Sequence, residues 1–334
     1  MKIVPLLALT ALVAGCATVP PPQGPRFDHS LTARAQSDRI KYVILHYTVS
    51  DLPRSINTLA HGTQVSAHYL LTDTEQPFFY TLVDESRQSN HAGLSSWKIY
   101  NQLNSASIGI EIVNPGFKET PQGRVYAPFS QAQIDQLILL LKDIVKRHNI
   151  PMGNILGHND IAPQRKQDPG PAFPWKQLAD AGLIPWPEPS RVAARLPGLQ
   201  EQMPDVVWFQ RKLAEIGYAV PQNGELDQAT RNVISVFQTK YRPSLYDGTP
   251  DAETAAMLDV LTSPVPAVPA SAAPDAARAA PSTPSPAAQG PTNGASPVSS
   301  PAAAQGAASS TPAATVPAPL PAAPAPVTEP TESL

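Results

Sequence analysis

Lys41–Thr48, KYVILHYT, is an apolar run of strand length that closes on an imidazole, His46. Four apolar residues in succession, Tyr42–Leu45, read as a buried strand. Ser107–Asn114, SIGIEIVN, repeats the pattern with a carboxylate, Glu111, at its centre. A charge inside a buried strand is costly unless it is paired or functional, so Glu111 is a candidate for chemistry. A third short run, Ile155-Leu156, leads into Gly157–Gly170, GHNDIAPQRKQDPG. That Pro- and Gly-bent loop carries His158, Lys166 and Asp168. Two imidazoles, an aspartate, a free glutamate and a lysine are the components of a hydrolytic zinc site.

Working outward from these strands, Ser55–His61 reads as a short helix, and Ala67–Thr72 and Pro77–Val83 as two further strands. Ser130 is placed to cap a helix in which Ile134, Leu137, Ile138, Leu141, Ile144 and Val145 recur at helical spacing as far as Asn149 and Pro151. Strands alternating with helices predict an α/β domain, a central mixed β-sheet flanked by helices, closing near Leu183. Beyond it, 186–204 is Pro-rich and reads as a linker. Val206–Ile216 and Gln228–Tyr241 are amphipathic and predict a small three-helix domain over 205–262.

The chain has 334 residues, a net charge of -3 and forty prolines, which are unevenly placed. That charge argues against a nucleic-acid partner bound through a basic surface. Cys16 is the single cysteine, which excludes an internal disulfide and a Cys-rich zinc cluster. Any zinc must then be held by His and carboxylate. Ile3–Val13 is apolar but too short to span a bilayer, which takes about 20 residues. With Leu12-Val13-Ala14-Gly15-Cys16 after it, the segment 1–16 resembles a bacterial lipoprotein signal ending at a lipidated cysteine. Residues 17–38 lack apolar periodicity and read as a tether. In 263–334 the only charges are Asp275, Arg278, Glu329 and Glu332, and a tail so poor in apolar bulk is expected to be disordered.

The runs LHYT, SIGIEIVN and GHNDIAPQRKQDPGPAFPW resemble the amidase 2 family of zinc-dependent N-acetylmuramoyl-L-alanine amidases, over about residues 38–185. The resemblance implies that His46, His158 and Asp168 hold Zn2+, that Glu111 is the general base, and that Lys166 faces the developing oxyanion. It further implies that His91, Trp97 and Asn104 line a cleft for the sugar and peptide of peptidoglycan. Many members have APGRK where this chain has Ala162-Pro163-Gln164-Arg165-Lys166, so Gln164 replaces a glycine and the loop path is open. WFQRKLAEIGY (Trp208–Tyr218), NGELDQAT (Asn223–Thr230) and VISVFQ (Val233–Gln238) resemble a peptidoglycan-binding helical module.

The boundaries that follow are 1–16 signal, 17–38 tether, 39–185 zinc amidase domain, 186–204 linker, 205–262 wall-binding module and 263–334 tail. The expected protein is a monomer, anchored by lipid on Cys16 and facing the periplasm, in the outer membrane if the host has two membranes. A non-catalytic peptidoglycan-recognition lipoprotein is the alternative; such relatives usually lack a metal ligand. Of the remaining histidines, His68 reads as structural, His148 as a partner of a helix C-terminus, and His29 and His61 as surface residues.

Overall fold

A computed structural model describes residues 24–264; Cys16 and the tail from 265 on lie outside the described residues. The chain divides into two units, one ending at Asp38 and the other beginning at Arg39. In the first, residues 24–38 carry no helix or strand. Among the described residues no helix is long and apolar enough to cross a membrane.

The second unit is built on a five-stranded sheet. Its strands are β1 (Tyr42–Tyr47), β2 (Tyr69–Leu71), β3 (Phe79–Thr81), β6 (Ser107–Ile112) and β9 (Ile155–Gly157) in the order β3-β2-β6-β1-β9. β2, β6, β1 and β9 run parallel, and β3 is an antiparallel edge. The sheet is therefore mixed, as expected. Two hairpins stand apart from it: β4 (Ser96–Trp97) with β5 (Tyr100–Asn101), and β7 (Phe117–Thr120) with β8 (Gly123–Tyr126).

Strand side chains alternate between faces, and here each face has its own cover. Val43, Leu45, Ile108, Ile110 and Ile112 pack against α2 (Gln131–His148) through Ile134, Leu137, Leu141 and Ile144. Ser130 caps α2 as the sequence predicts: its hydroxyl accepts from Gln133 N, the Gln133 side chain returns to Ser130 N, and Asn149 closes the helix in the left-handed region. Three shorter helices complete this region: α1 (Leu52–Ile56), α3 (His158–Ile161) and α4 (Trp175–Asp180). The predicted helix at Ser55–His61 begins earlier, because Asp51 accepts from Arg54 N, and Asn57–His61 widens into a π turn.

On the opposite face Tyr42, Ile44 and Leu156 share one apolar cluster with Phe209, Leu213, Val233, Phe237 and Leu258. The last five come from α6 (Val206–Ile216), α7 (Gln228–Tyr241) and α8 (Ala252–Thr262). The predicted three-helix segment is thus the second cover of the sheet. Trp97 stacks edge-on against Tyr218 at 4.8 Å, and Trp186 lies 5.3 Å from Tyr241.

The Pro-rich 186–204 stretch is not an extended linker: Pro189–Glu201 forms a helix, α5, against α8. Pro189 sits in the first turn, where no N–H is needed, and the Glu188 carboxylate accepts from Ser190 N and Arg191 N. Pro197 is inside the helix but nothing in α5 is buried, so water can meet the Ala193 carbonyl that it leaves without a donor. Arg195 Nε pairs with Asp259 of α8 at 3.1 Å.

Candidate metal centre

The carboxyl ends of parallel strands converge on one rim, the usual place for a site in an open α/β sheet. His46 stands opposite Glu111 in the β1–β6 register, so both side chains leave the same face of adjacent strands. β9 ends at Gly157 and hands the chain to α3, whose first residue is His158. The loop then returns, and Asn159 N donates to the Asp168 carbonyl at 3.0 Å.

Three sequence-predicted ligands meet there. His46 Nδ1 and His158 Nδ1 are 3.0 Å apart, and Asp168 Oδ2 lies 3.0 Å from the first and 3.1 Å from the second. Backbone carbonyls decide where the ring protons sit. Ser107 donates its hydroxyl to the Leu103 carbonyl at 2.6 Å, so Ser107 Oγ accepts from His91 Nε2 at 3.1 Å. His91 Nδ1 is then an acceptor, and His46 Nε2–H donates to it at 3.0 Å. Likewise His158 Nε2 meets the Ala92 carbonyl at 3.2 Å and must donate. Both Nδ1 atoms are left bare, facing a carboxylate oxygen.

Three lone-pair donors within 3.1 Å and no proton among them fit a cation. A tetrahedral Zn2+ with bonds of about 2.0–2.2 Å sets its ligands roughly 3.3 Å apart. These residues fit zinc in donor type and spacing. Among the described residues His46, His158 and Asp168 are the one cluster of this kind. Burial drives His46 down to about 4, His158 adding to the effect and Asp168 opposing it. Burial alone would raise Asp168, but His158 and His46 hold it well below the ordinary carboxylate range. Both shifts favour the forms that bind metal.

Glu111 and Lys166 line the same cleft of about 290 Å³, with His91, Ser66 and Tyr47. Burial pushes the Glu111 carboxyl up to about 8, Asp168 adding to the rise and Lys166 opposing it. Its Oε2 is shielded and has no hydrogen-bond partner, an arrangement kept for chemistry rather than for stability.

Two expected substrate residues have other work. Trp97 is absent from this cleft and only 3 % exposed, buried beneath the C-terminal helices. Asn104 Oδ1 accepts from His91 N at 3.0 Å and Ala92 N at 2.6 Å. It clamps the segment that orients both imidazoles of the cluster, His46 through the His91 ring and His158 through the Ala92 carbonyl. His91 lines the cleft, and both its ring nitrogens are engaged within the protein. Gly109 makes room for it: a Cβ there would lie 2.3 Å from the His91 ring. A glycine inside a buried strand signals such a close approach, and that signal could have found the His91–Ser107 pair.

His68 is structural: Gly109 N donates to its Nδ1 at 3.0 Å and its Nε2 meets the Arg87 carbonyl at 3.1 Å. His148 pairs with Glu85 at 2.7 Å, while His29 and His61 are exposed. Gln164, whose loop path the sequence left open, reaches α7: its Nε2 donates to the Ala229 carbonyl at 3.1 Å and its Oε1 accepts from Asn232 at 2.9 Å.

Comparison with known proteins agrees with this geometry. The family described as N-acetylmuramoyl-L-alanine amidase (Amidase_2) matches residues 36–171, and that described as putative peptidoglycan binding domain matches 202–258. The chain is 41% identical over 266 residues to N-acetylmuramoyl-L-alanine amidase AmiD of Escherichia coli, covering 77% of this chain and 95% of that protein. A solved complex of AmiD with anhydro-N-acetylmuramic acid-L-Ala-D-gamma-Glu-L-Lys has a TM-score of 0.65 and covers 71% of this chain and 94% of the other. AmpDh3 from Pseudomonas aeruginosa, 32% identical, has a TM-score of 0.66 over 71% of this chain and 98% of its own. The chain belongs to the Amidase_2 family of N-acetylmuramoyl-L-alanine amidases.

Proposed function

We propose that this protein hydrolyses the amide between the lactyl group of N-acetylmuramic acid and the L-Ala of a peptidoglycan stem peptide, with Zn2+ held by His46, His158 and Asp168. The observation that carries this reading is the triangle of bare donors set beside the unpartnered Glu111 oxygen. When bound, Zn2+ supplies Lewis acidity toward the scissile carbonyl and the attacking water. Glu111 takes the proton of that water and returns one to the leaving L-Ala nitrogen. Lys166 sets its positive charge against the developing oxyanion. His91 and the Ala92 carbonyl keep the two imidazoles in the tautomer the site needs.

The substrates are intact murein and 1,6-anhydro muropeptides, in keeping with the substrate bound by AmiD. The region 39–185 carries catalysis, and 205–262 binds the wall. The same reading takes the protein as a monomer anchored by lipid on Cys16, facing the periplasm in a Gram-negative outer membrane. The Leu12–Cys16 box supports that anchor.

Digestion of purified murein sacculi by a soluble form beginning at Gln23 tests the reading. Mass spectrometry should find free stem peptides with an L-Ala amino terminus, and a chelator should abolish them. Sacculus binding with no peptide released under any metal would overturn the amidase and favour a recognition protein.

A pH dependence follows from Glu111 in the metal-free protein. Burial holds its folded pKa at about 8, above the ordinary glutamate value of 4.5, so the folded chain keeps a proton that the unfolded chain has lost. Stability contributed by this group is full below 4.5 and falls as pH rises through about 8. Burial lowers His46, His68 and His91, so above about pH 7 these rings are largely neutral in both states and oppose this slope little. Melting midpoints of the metal-free protein should therefore fall from pH 7 to 8.5, and Glu111→Gln should flatten that fall. An equal slope in both proteins would show that Glu111 is ionised throughout.

A further inference from the structure

The loop that carries two of the three ligands is held from below by the C-terminal helices. Asp160 lies two residues after His158 and is 1% exposed. Its Oδ1 accepts from Tyr218 Oη at 2.7 Å, and its Oδ2 accepts from Lys240 Nζ and from Gly157 N, both at 2.8 Å. The Lys240 side chain is itself only 6% exposed and lies 4.2 Å over the Trp175 ring. Tyr218 follows α6 and Lys240 belongs to α7. Four residues further along the loop, Gln164 makes its two bonds to Ala229 and Asn232 of the same helix.

A pair of covers needs only apolar contact to stay on a sheet. Here a buried carboxylate, which is costly unless paired, stands where β9 turns into α3. Gly157 N, Tyr218 and Lys240 all converge on it, and Gly157 is the residue before His158. The direction in which the His158 ring leaves the sheet is thereby tied to side chains some 60 to 80 positions away.

We infer that the C-terminal helices are a positioning element of the metal centre: Lys240 and Tyr218, acting through Asp160, fix the loop that presents His158 and Asp168. The inference rests on the reading of His46, His158 and Asp168 as zinc ligands. It extends the role of these helices beyond wall binding, because a substrate too small to engage the wall would still depend on them.

The test measures zinc release from the zinc-loaded full chain to a chromophoric chelator, with turnover of a soluble anhydro-muropeptide and sacculus co-sedimentation beside it. Lys240→Met should speed zinc release about tenfold, in the range found for groups that orient ligands, and lower turnover while sacculus binding is unchanged. Adding Asp160→Asn should restore zinc retention, since no unpaired charge is then left under the loop. Tyr218→Phe, which removes one hydroxyl, should speed release by a smaller factor and decides the matter should Lys240→Met fail to fold. Zinc release at the wild-type rate in Lys240→Met, or in Tyr218→Phe where that variant has to decide, would overturn the inference. A wild-type chain that takes up no zinc would overturn the ligand reading, and this inference with it.

Discussion

Glu111→Gln should leave zinc bound and lower kcat on a soluble muropeptide by about 10²–10⁴-fold, the range in which a positioned acid–base group acts. Glutamine keeps the size of the side chain and its place opposite His46 in the register, but its amide cannot take a proton from water. The donor triangle is complete without Glu111, so metal content and KM should change little. Metal analysis beside single-turnover cleavage separates the two roles. Loss of zinc from this variant would make Glu111 a ligand, and retained cleavage would put the base elsewhere.

The second large effect is expected from His158→Ala. It removes one donor of the three and also the ring that meets the Ala92 carbonyl. Bound metal stabilises the folded state by RT ln(1 + [L]/Kd), about 2.7 kcal/mol at a hundredfold excess over Kd. Zinc should therefore raise the melting temperature of the wild type clearly and that of His158→Ala little. Cleavage should fall by more than the 10²–10³ that a single oxyanion donor is worth, because the Lewis acid itself is lost. A zinc-dependent shift that survives in this variant would mean that the ion sits elsewhere.

Much of the site could be read from residue types in context. An imidazole at the end of one apolar run and a carboxylate inside another are expensive choices, and both strands exist where the runs place them. α2 was legible because the Ser130 cap and the helical apolar spacing agree. The helix in 186–204 was hidden by counting prolines without their positions, since Pro189 is harmless in a first turn. Trp97 and Asn104 were assigned to substrate for a different reason. Their partners, Tyr218 on one side and the His91–Ala92 backbone on the other, are distant in sequence or main-chain atoms. Neither the alternation of Tyr42 and Ile44 with Val43 and Leu45 nor the amphipathic helices says which segment covers which face.

The shared core of sheet and C-terminal helices gives the enzyme a fixed gauge. Two modules joined by a slack tether can engage a polymer at many separations, and the benefit of joining them decays gently with tether length. Modules that share side chains across one interior, as Ile44 and Leu156 do with Phe237 and Leu258, have a single separation and a single orientation. On the proposed reading of 205–262 as the wall-binding region, a glycan strand held there would present to the cleft only those stem peptides that emerge at the matching distance and turn of the strand. Wall binding on this scaffold would then select the scissile bond by position along the polymer as well as raise its local concentration.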